Sequence, residues 1–340
     1  MKAWRNIAVI SLFLVACAST ARVPDLSPQG EARAFIAEMA KKHGFDRAQL
    51  EAWFKEARVR GEIIDAISRP AEGKPWYQYR PIFLQQARIE GGVEFWNQNA
   101  KLLERAEEVF GVPPQIITAI LGVETRYGKH QGSYRVMDSL VTLAFNYPPR
   151  AAFFKSELEQ YLLLTREEGV DPLSMTGSYA GAMGQTQFIS SSYRHYAIDF
   201  DGDGKRDLWD NTADAIGSVA NYFKQHGWER GAAVAVPVTV TVGGGEAQAL
   251  VDKGLKPSLK VADLQRLGVK QTDALSADDR VALIALEQKE GAEYWAGLQN
   301  FYVITRYNHS PLYAMAVYQL SEEIRARRNE RLAHGGQAGR

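Results

Sequence analysis

The chain has 340 residues, of which 46% are apolar and 24% are charged, so it is long enough and apolar enough to bury a sizeable core. Its 40 basic and 40 acidic residues cancel, and therefore no basic excess indicates a nucleic-acid partner. The single cysteine excludes a disulfide framework, a CxxC redox site and a cysteine-based zinc site, and the chain has no HExxH, GxSxG or P-loop motif.

The N-terminal residues have the pattern of an export signal. Lys2 and Arg5 precede an almost wholly apolar run over residues 7–16. This run is too short to cross a bilayer core of about 30 Å, but its length is typical of a signal peptide. The pattern therefore predicts a signal peptide over residues 1–16.

Cys17 stands directly after this run, at the expected cleavage point. The arrangement resembles a bacterial lipoprotein signal, in which this cysteine is lipidated and becomes the new N-terminus; an ordinary signal with a chance cysteine is the alternative. The next residue is Ala18 rather than Asp, which by the sorting rule of such lipoproteins indicates the outer membrane. We therefore expect lipidation at Cys17, a tether over residues 17–30, and a location on the periplasmic face of that membrane.

Apolar residues recur at helical spacing over most of residues 31–230. Phe35, Ile36 and Met39 share one face of the first such segment, and Gly44 follows as a stop signal. The pattern predicts helices over residues 31–43, 49–57, 94–110, 115–127, 153–167 and 213–226.

The periodicity changes after Gly231. Valine occupies every second position from Val234 to Val242, and a period of two predicts a strand with one buried face. Further elements are predicted as a helix over residues 261–267, strands near 281–286 and 301–305, and a helix over 310–324.

These elements predict an α+β fold that is mainly α-helical. The predicted domains are a helical body at 31–230, a small β-containing subdomain at 231–305, a C-terminal helix of the core at 306–324 and a flexible tail at 325–340.

Glu124 lies on an apolar helix face. Ile116, Ile120 and Glu124 are spaced by four, so the carboxyl group continues a stripe that should be buried. Burial raises the pKa of a carboxyl group, and a carboxyl that keeps its proton near neutral pH can act as a general acid. The alternative is a glutamate at a helix end that pairs with Arg126 or Lys129, or one that turns to solvent.

Three motifs in this order resemble the membrane-bound lytic murein transglycosylase B family. They are AILGVETRYG at residues 119–128, GSYAGAMGQTQF at 177–188 and TRYNH at 305–309, and the similarity extends from about residue 35 to 320. The resemblance implies a lysozyme-like core with a helical domain and a small β domain. It also implies cleavage of the β-1,4 bond between N-acetylmuramic acid and N-acetylglucosamine in peptidoglycan.

In this family one glutamate performs the chemistry, and Glu124 occupies its position. Most glycosidases need two carboxylates, but no second acid stands beside Glu124 in the motifs. The resemblance implies that Glu124 first protonates the leaving oxygen and then deprotonates the C6 hydroxyl of muramic acid, which closes a 1,6-anhydro ring without water.

The resemblance also implies a set of substrate-binding residues. Arg150 matches a residue that binds a carboxylate of the peptide stem, although Pro149 stands where relatives have a second arginine. The matching positions are Tyr79, Arg150, Ser178, Gln187, Tyr222, Tyr307, Asn308 and Tyr313.

Glycines between residues 177 and 184 permit close approach of the backbone. That approach would be either to a ligand or, in tight turns, to the protein itself.

An acidic segment nearly reproduces the calcium loop of an EF-hand. Its oxygen donors would be the side chains of Asp199, Asp201 and Asp203 and the backbone carbonyl of Lys205. Position 12 holds Asp210, which is shorter than the usual glutamate, whereas the family resemblance favours Asp214 as the last ligand. We expect a structural calcium ion, because the chemistry at Glu124 requires no metal; a solvated acidic turn is the alternative.

The leading hypothesis is a lipid-anchored lytic transglycosylase that acts on peptidoglycan strands, with no organic cofactor. A lysozyme-type hydrolase that uses water and a non-catalytic peptidoglycan-binding lipoprotein are the alternatives. A calcium sensor fits poorly, because sensors pair such loops.

Overall fold

The computed structural model describes residues 30–68, 73–270 and 274–335. The predicted signal peptide, Cys17, nearly all of the tether and the last five residues of the predicted tail lie outside these ranges. Within them, no helix combines the length and the apolar character needed to cross a membrane.

Most of the described chain is helical. The helices that precede the centre of the body are α1 (Glu31–His43), α2 (Arg47–Glu56), α3 (Gly61–Ile67), α4 (Trp76–Phe83), α5 (Gln86–Gln98) and α6 (Ala100–Phe110). The remaining helices are α7 (Pro114–Thr125), α8 (Val136–Asn146), α9 (Ala151–Glu167), α10 (Ser190–Tyr196), α11 (Thr212–Gln225), α12 (Gly244–Val251), α13 (Val261–Arg266), α14 (Gln299–Tyr307) and α15 (Pro311–Gly335).

Helix α7 forms the centre of the helical body. Its first residue, Pro114, suits a position where a backbone N–H would have no helical partner. Ile116, Ile117, Ile120 and Leu121 are all buried, and a helix that is apolar on all sides must be surrounded by other elements. Accordingly, α5, α6, α11 and α15 pack around it.

The small sheet follows the helical body in the chain. Its antiparallel strands are β3 (Ala235–Val240), β4 (Leu259–Lys260), β5 (Val269–Lys270), β6 (Arg280–Glu287) and β7 (Ala292–Gly297), in the spatial order β4-β6-β7-β3-β5. Val238, Val261, Leu264 and Leu283 belong to a separate small core under this sheet. A short ribbon, β1 (Tyr134–Arg135) with β2 (Thr176–Gly177), lies within the helical body.

The predicted strand at residues 301–305 was wrong, because this segment belongs to helix α14. Phe301 and Ile304 are buried one helical turn apart. A short apolar run of this kind fits either a strand or one face of a helix, and its periodicity alone does not separate the two.

The predicted flexible tail was also wrong over residues 325–335, because helix α15 continues to Gly335. Although this segment is polar, it is docked on α5. Arg327 Nε donates to Glu90 Oε1 at 2.9 Å, Arg331 pairs with the same carboxylate, and Arg328 lies over the ring of Trp96. Ion pairs and a cation–π contact therefore take the place of an apolar stripe.

Candidate active site

Glu124 is the next-to-last residue of α7. Directly after the helix, Arg126 and Tyr127 adopt left-handed conformations, with φ of 51° and 62°. The Tyr127 ring fills a slot beside Gly122, where a Cβ atom would come within 2.7 Å of the ring, and its hydroxyl donates to the carbonyl of Arg88 at 2.6 Å. The end of the helix that carries Glu124 is thereby fixed against α5.

The carboxyl group of Glu124 is half-buried, and it accepts a hydrogen bond of 2.5 Å from Tyr313 Oη. Burial raises the pKa of Glu124 to about 7, and the bond from Tyr313 partly opposes this shift. No second carboxylate of the described chain contributes to the shift. The predicted apolar setting of Glu124 is therefore confirmed in the structure, and the alternative, a pairing with Arg126 or Lys129, is not formed.

Tyrosines predicted as substrate contacts brace the elements around this carboxyl group. Tyr307 Oη donates to the carbonyl of Thr186 at 2.6 Å and Tyr222 Oη donates to the carbonyl of Arg306 at 2.5 Å. The rings of Tyr222 and Tyr307 meet at 4.9 Å between centroids. Their hydroxyls thus hold the backbone, while their rings form a wall.

A groove of about 810 Å³ lies along this wall. Of the predicted substrate-binding residues, it is lined by Arg150, Gln187, Tyr222, Tyr307 and Asn308. Gln187 is left-handed, with φ of 51°, and its side-chain N–H groups donate to the carbonyls of Gln131 and Gly184.

The other predicted substrate-binding residues do not line this groove. Tyr79 is 4% exposed and packs against Trp76 and Phe83, and Tyr313 is 3% exposed beneath Glu124. Ser178 Oγ accepts the N–H groups of Ala180 and Ala182 within its own turn.

The glycines of the second motif serve close packing within the protein. A Cβ atom at Gly177 would lie 2.2 Å from the carbonyl oxygen of Ala182, and one at Gly184 would lie 2.4 Å from that of Leu208. The tight-turn interpretation of these glycines therefore holds.

Sequence reasoning missed Arg306 and the histidines of the groove. Arg306 lines the groove together with Arg150, whereas no acidic residue of the described ranges does. His195, His226 and His309 also line it, and burial lowers the pKa of His226 and His309, which favours their neutral forms. The only available signal for His226 was its spacing of four from Tyr222, on whose ring it stacks with centroids 4.0 Å apart.

The acidic loop brings together oxygen atoms of Asp199, Asp201 and Asp203 within 4.8 Å of one another. Backbone N–H groups of the loop donate hydrogen bonds to Asp199 and lower its pKa, and the N–H of Gly204 has the largest effect. Such a cluster of ionised oxygens fits a hard cation such as calcium.

Asp214 and Asp210 differ sharply in their surroundings. Asp214 is buried, and its two oxygens accept the backbone N–H groups of Phe200 at 2.7 Å and Asp207 at 2.8 Å. Asp210 is exposed and stands outside the three-acid cluster. Asp214 therefore joins the two arms of the loop.

Comparison with known proteins gives a consistent result. A family model described as the transglycosylase SLT domain matches residues 28–322. The chain is 45% identical over 310 residues to membrane-bound lytic murein transglycosylase B of Escherichia coli (strain K12). The matched region covers 88% of this chain and 84% of that protein.

Solved structures show the same similarity. Soluble lytic transglycosylase SltB1 from Pseudomonas aeruginosa is 52% identical, with a TM-score of 0.81 over 87% of this chain and 98% of that one. The Escherichia coli lytic transglycosylase Slt35 in complex with calcium is 44% identical, with a TM-score of 0.79 over 87% and 93%. The predicted mainly helical, lysozyme-like fold is confirmed. The chain belongs to the transglycosylase SLT domain family and is a lytic transglycosylase.

Proposed function

We propose that this enzyme cleaves the β-1,4 bond between N-acetylmuramic acid and N-acetylglucosamine in peptidoglycan, with Glu124 as its only catalytic carboxyl group. The observation that carries the proposal is the half-buried Glu124 carboxyl, whose pKa is raised to about 7 and which interacts electrostatically with Tyr307, a residue of the groove wall. The Escherichia coli relative is named as a murein transglycosylase, which supports the choice of polymer.

In the first step, the neutral carboxyl group of Glu124 gives its proton to the glycosidic oxygen as the bond from C1 to that oxygen breaks. The acetamido group of the muramic acid assists from within the substrate. The resulting carboxylate then takes the proton from the C6 hydroxyl, whose oxygen forms a new bond to C1. The product is a 1,6-anhydro ring, no water is consumed, and Glu124 regains its proton.

A pKa near neutrality suits this sequence, because the same group must release a proton and then accept one. Since the attacking oxygen belongs to the substrate, the protein contributes mainly positioning and electrostatic stabilisation.

The groove supplies that positioning in our proposal. The rings of Tyr222 and Tyr307 provide apolar faces for sugars, and Gln187 and Asn308 provide amide groups for hydroxyl and acetamido groups. Tyr313 supports the Glu124 carboxyl from α15, and Ser178 shapes the turn of the glycine-rich motif rather than contacting the groove.

The charge of the groove fits the peptide stems of the wall. Arg150 forms no ion pair with any described residue and lies over the ring of Phe153, 4.3 Å from its centroid. Because Arg306 lines the same groove and no acidic residue of the described ranges does, we propose that the groove binds stem carboxylates although Pro149 replaces a second arginine.

We further propose that the acidic loop binds a structural calcium ion. The ion would be held by the carbonyl of Lys205 and by the carboxylates of Asp199, Asp201 and Asp203. Asp214 would either be the last ligand or support the loop through its hydrogen bond with the backbone of Asp207. A bound calcium ion would neutralise the clustered carboxylates. The calcium complex of the Slt35 relative supports this assignment.

The location we propose is the periplasmic face of the outer membrane, with a lipid anchor at Cys17. The membrane-bound name of the Escherichia coli relative supports attachment to a membrane. More than one acyl chain would be required, because a single chain gives only marginal binding.

Digestion of purified murein sacculi tests the proposed chemistry. We expect products with 1,6-anhydromuramic ends, lighter by one water than those of a lysozyme, and no products from Glu124→Gln. Reducing ends would instead support the hydrolase alternative. Undiminished digestion by Glu124→Gln would overturn the role of Glu124.

A further inference from the structure

The residue after Glu124 forms an unusual junction. Thr125 is fully buried, and its hydroxyl oxygen lies 3.2 Å from the carbonyl of Leu121, one turn back in α7, and 3.0 Å from the carbonyl of Gln185 in the glycine-rich motif. The same oxygen accepts the backbone N–H of Gly128 at 3.0 Å. A threonine hydroxyl inside a helix usually bonds only to its own preceding turn, so the contact with Gln185 is an additional tertiary link.

Gln185 in turn is tied to the acidic loop. It is 5% exposed; its backbone N–H donates to the carbonyl of Leu208 at 2.7 Å, and its side-chain amide donates to the carbonyl of Trp209 at 3.1 Å. Gln131 repeats the connection, because its amide donates both to Trp209, at 3.0 Å, and to Gly128, at 3.1 Å.

These bonds form one continuous path. The loop that Asp214 holds together is bonded to Gln185, and Gln185 is bonded to Thr125, which directly follows Glu124. From the opposite side, Glu124 is held by Tyr313. The carboxyl group is therefore fixed between two supports that come from different parts of the chain.

We infer that Thr125 is a positioning residue, which with Gln185 as its bridge fixes the end of the Glu124 helix on the acidic loop and so sets the orientation of the catalytic carboxyl group. This inference rests on the proposed role of Glu124 as the catalytic acid. It assigns to the acidic loop a task at the active site, in addition to its own folding.

The test compares Thr125→Val with Thr125→Ser. Valine keeps the shape of threonine but has no hydroxyl, so the link to Gln185 and Gly128 is lost, whereas serine retains it. With peptidoglycan strands as substrate and the anhydro product as readout, we expect Thr125→Val to lower kcat by about 10- to 100-fold with little change in KM, and Thr125→Ser to restore most of it.

The pH profile separates positioning from a merely structural role. The titratable groups that face Glu124 are the phenols of Tyr313 and Tyr307, and burial keeps both protonated. A loosened helix end admits water to Glu124, so the alkaline limb of kcat should move to lower pH in Thr125→Val. The mild variant Gln185→Met removes only the amide and should move the limb in the same direction.

Thr165→Val is the matched control. Thr165 is equally buried, and its hydroxyl donates to Leu162 at 3.1 Å within its own helix, α9. We expect a lower melting temperature at most, with kcat and the pH profile unchanged. If Thr125→Val and Gln185→Met lose stability but keep the wild-type kcat and pH profile, the inference is overturned while the proposed function, read from the wild-type product, stands.

Discussion

Tyr313 Oη donates to Glu124 Oε1 at 2.5 Å, and this bond joins α15 to the end of α7 across 189 positions of the sequence. The bond favours the ionised carboxylate, whereas burial favours the neutral acid. Burial is the larger effect, and the resulting pKa of about 7 leaves both protonation states accessible at neutral pH. Tyr313 therefore tunes the acid as well as holding it.

Replacing Tyr313 with phenylalanine should leave burial as the only effect on the pKa of Glu124. Without the donated hydrogen bond, the pKa of Glu124 should rise above about 7, and the alkaline limb of the pH–rate profile should move to higher pH. We also expect kcat to fall by about tenfold or more, because the carboxyl group loses one of its supports. Rates measured on peptidoglycan from pH 5 to 9 provide the check.

Tyr318→Phe serves as the control for this variant, because Tyr318 also lies on α15 but its hydroxyl donates to the carbonyl of Ala235 and not to Glu124. Its profile should match that of the wild type. An alkaline limb in Tyr313→Phe that stays in place, or moves to lower pH, would contradict the tuning role.

The raised pKa of Glu124 should also appear in the stability of the protein. Its pKa is about 7 in the folded chain, against an ordinary value of 4.5, so between these values the folded state retains a proton that the unfolded state has lost. Stability contributed by the neutral acid is therefore present below about pH 4.5 and is lost as the pH rises to about 7. At about 1.4 kcal/mol per pH unit, the loss amounts to about 3 kcal/mol.

Glu124→Gln has no such ionisation. Its free energy of unfolding, relative to that of the wild type, should therefore rise by up to about 3 kcal/mol between pH 4.5 and 7 and remain level above that range. Urea titrations of both proteins across these pH values measure the difference. Parallel stability curves would show that Glu124 has an ordinary pKa in the folded enzyme.

Local patterns predicted the parts of the site that one element creates. The apolar stripe of α7 predicted a buried carboxyl at Glu124, and the first helix was predicted at its observed bounds of Glu31–His43. The bond from Tyr313 could not be predicted from spacing, because it depends on how α15 packs against α7. Only the family resemblance pointed to Tyr313.

Tertiary packing likewise decided the elements that were predicted wrongly. The apolar residues between Phe301 and Ile304 fit the spacing of a helix and that of a strand equally well, so only the packing of neighbouring elements decides between the two. The polar end of α15 carries no apolar pattern, and its order depends on Glu90 and Trp96 of another helix. The positive charge of the groove also depends on tertiary packing, because Arg150 and Arg306 come from segments that are distant in the sequence.

Substitution of Gly184 tests the close packing of the glycine-rich motif. In Gly184→Ala, the new Cβ would lie 2.4 Å from the carbonyl oxygen of Leu208, at a φ of 66°. Gly204 has a φ of 90° but no atom within 4 Å of a Cβ, so Gly204→Ala carries only the conformational cost of about 1–2 kcal/mol. We expect Gly184→Ala to lose clearly more stability, as measured by chemical denaturation; equal losses would mean that the contact with Leu208 relaxes freely.

Calcium binding can be tested by charge-matched substitutions in the acidic loop. Asp203 Oδ1 accepts the backbone N–H of Lys205 at 2.9 Å, a bond that asparagine can also form, so Asp203→Asn removes a charge but keeps the turn. Asp210→Asn removes the same charge from an exposed position outside the three-acid cluster. The pair therefore separates ligation from general electrostatics.

With calcium at about 100 times its dissociation constant, binding to the folded state should add about 2.7 kcal/mol and raise the melting temperature by several degrees. We expect Asp203→Asn to lose most of this shift and Asp210→Asn to retain it, in melting curves recorded with calcium and with chelator. If the melting temperature of the wild-type protein is the same with calcium and with chelator, the proposed calcium site is ruled out. An exposed carboxylate that does not ligate the ion should matter little, because solvent and salt screen its charge. Loss of the calcium-dependent shift in Asp210→Asn would therefore identify Asp210 as the ligand that closes the site.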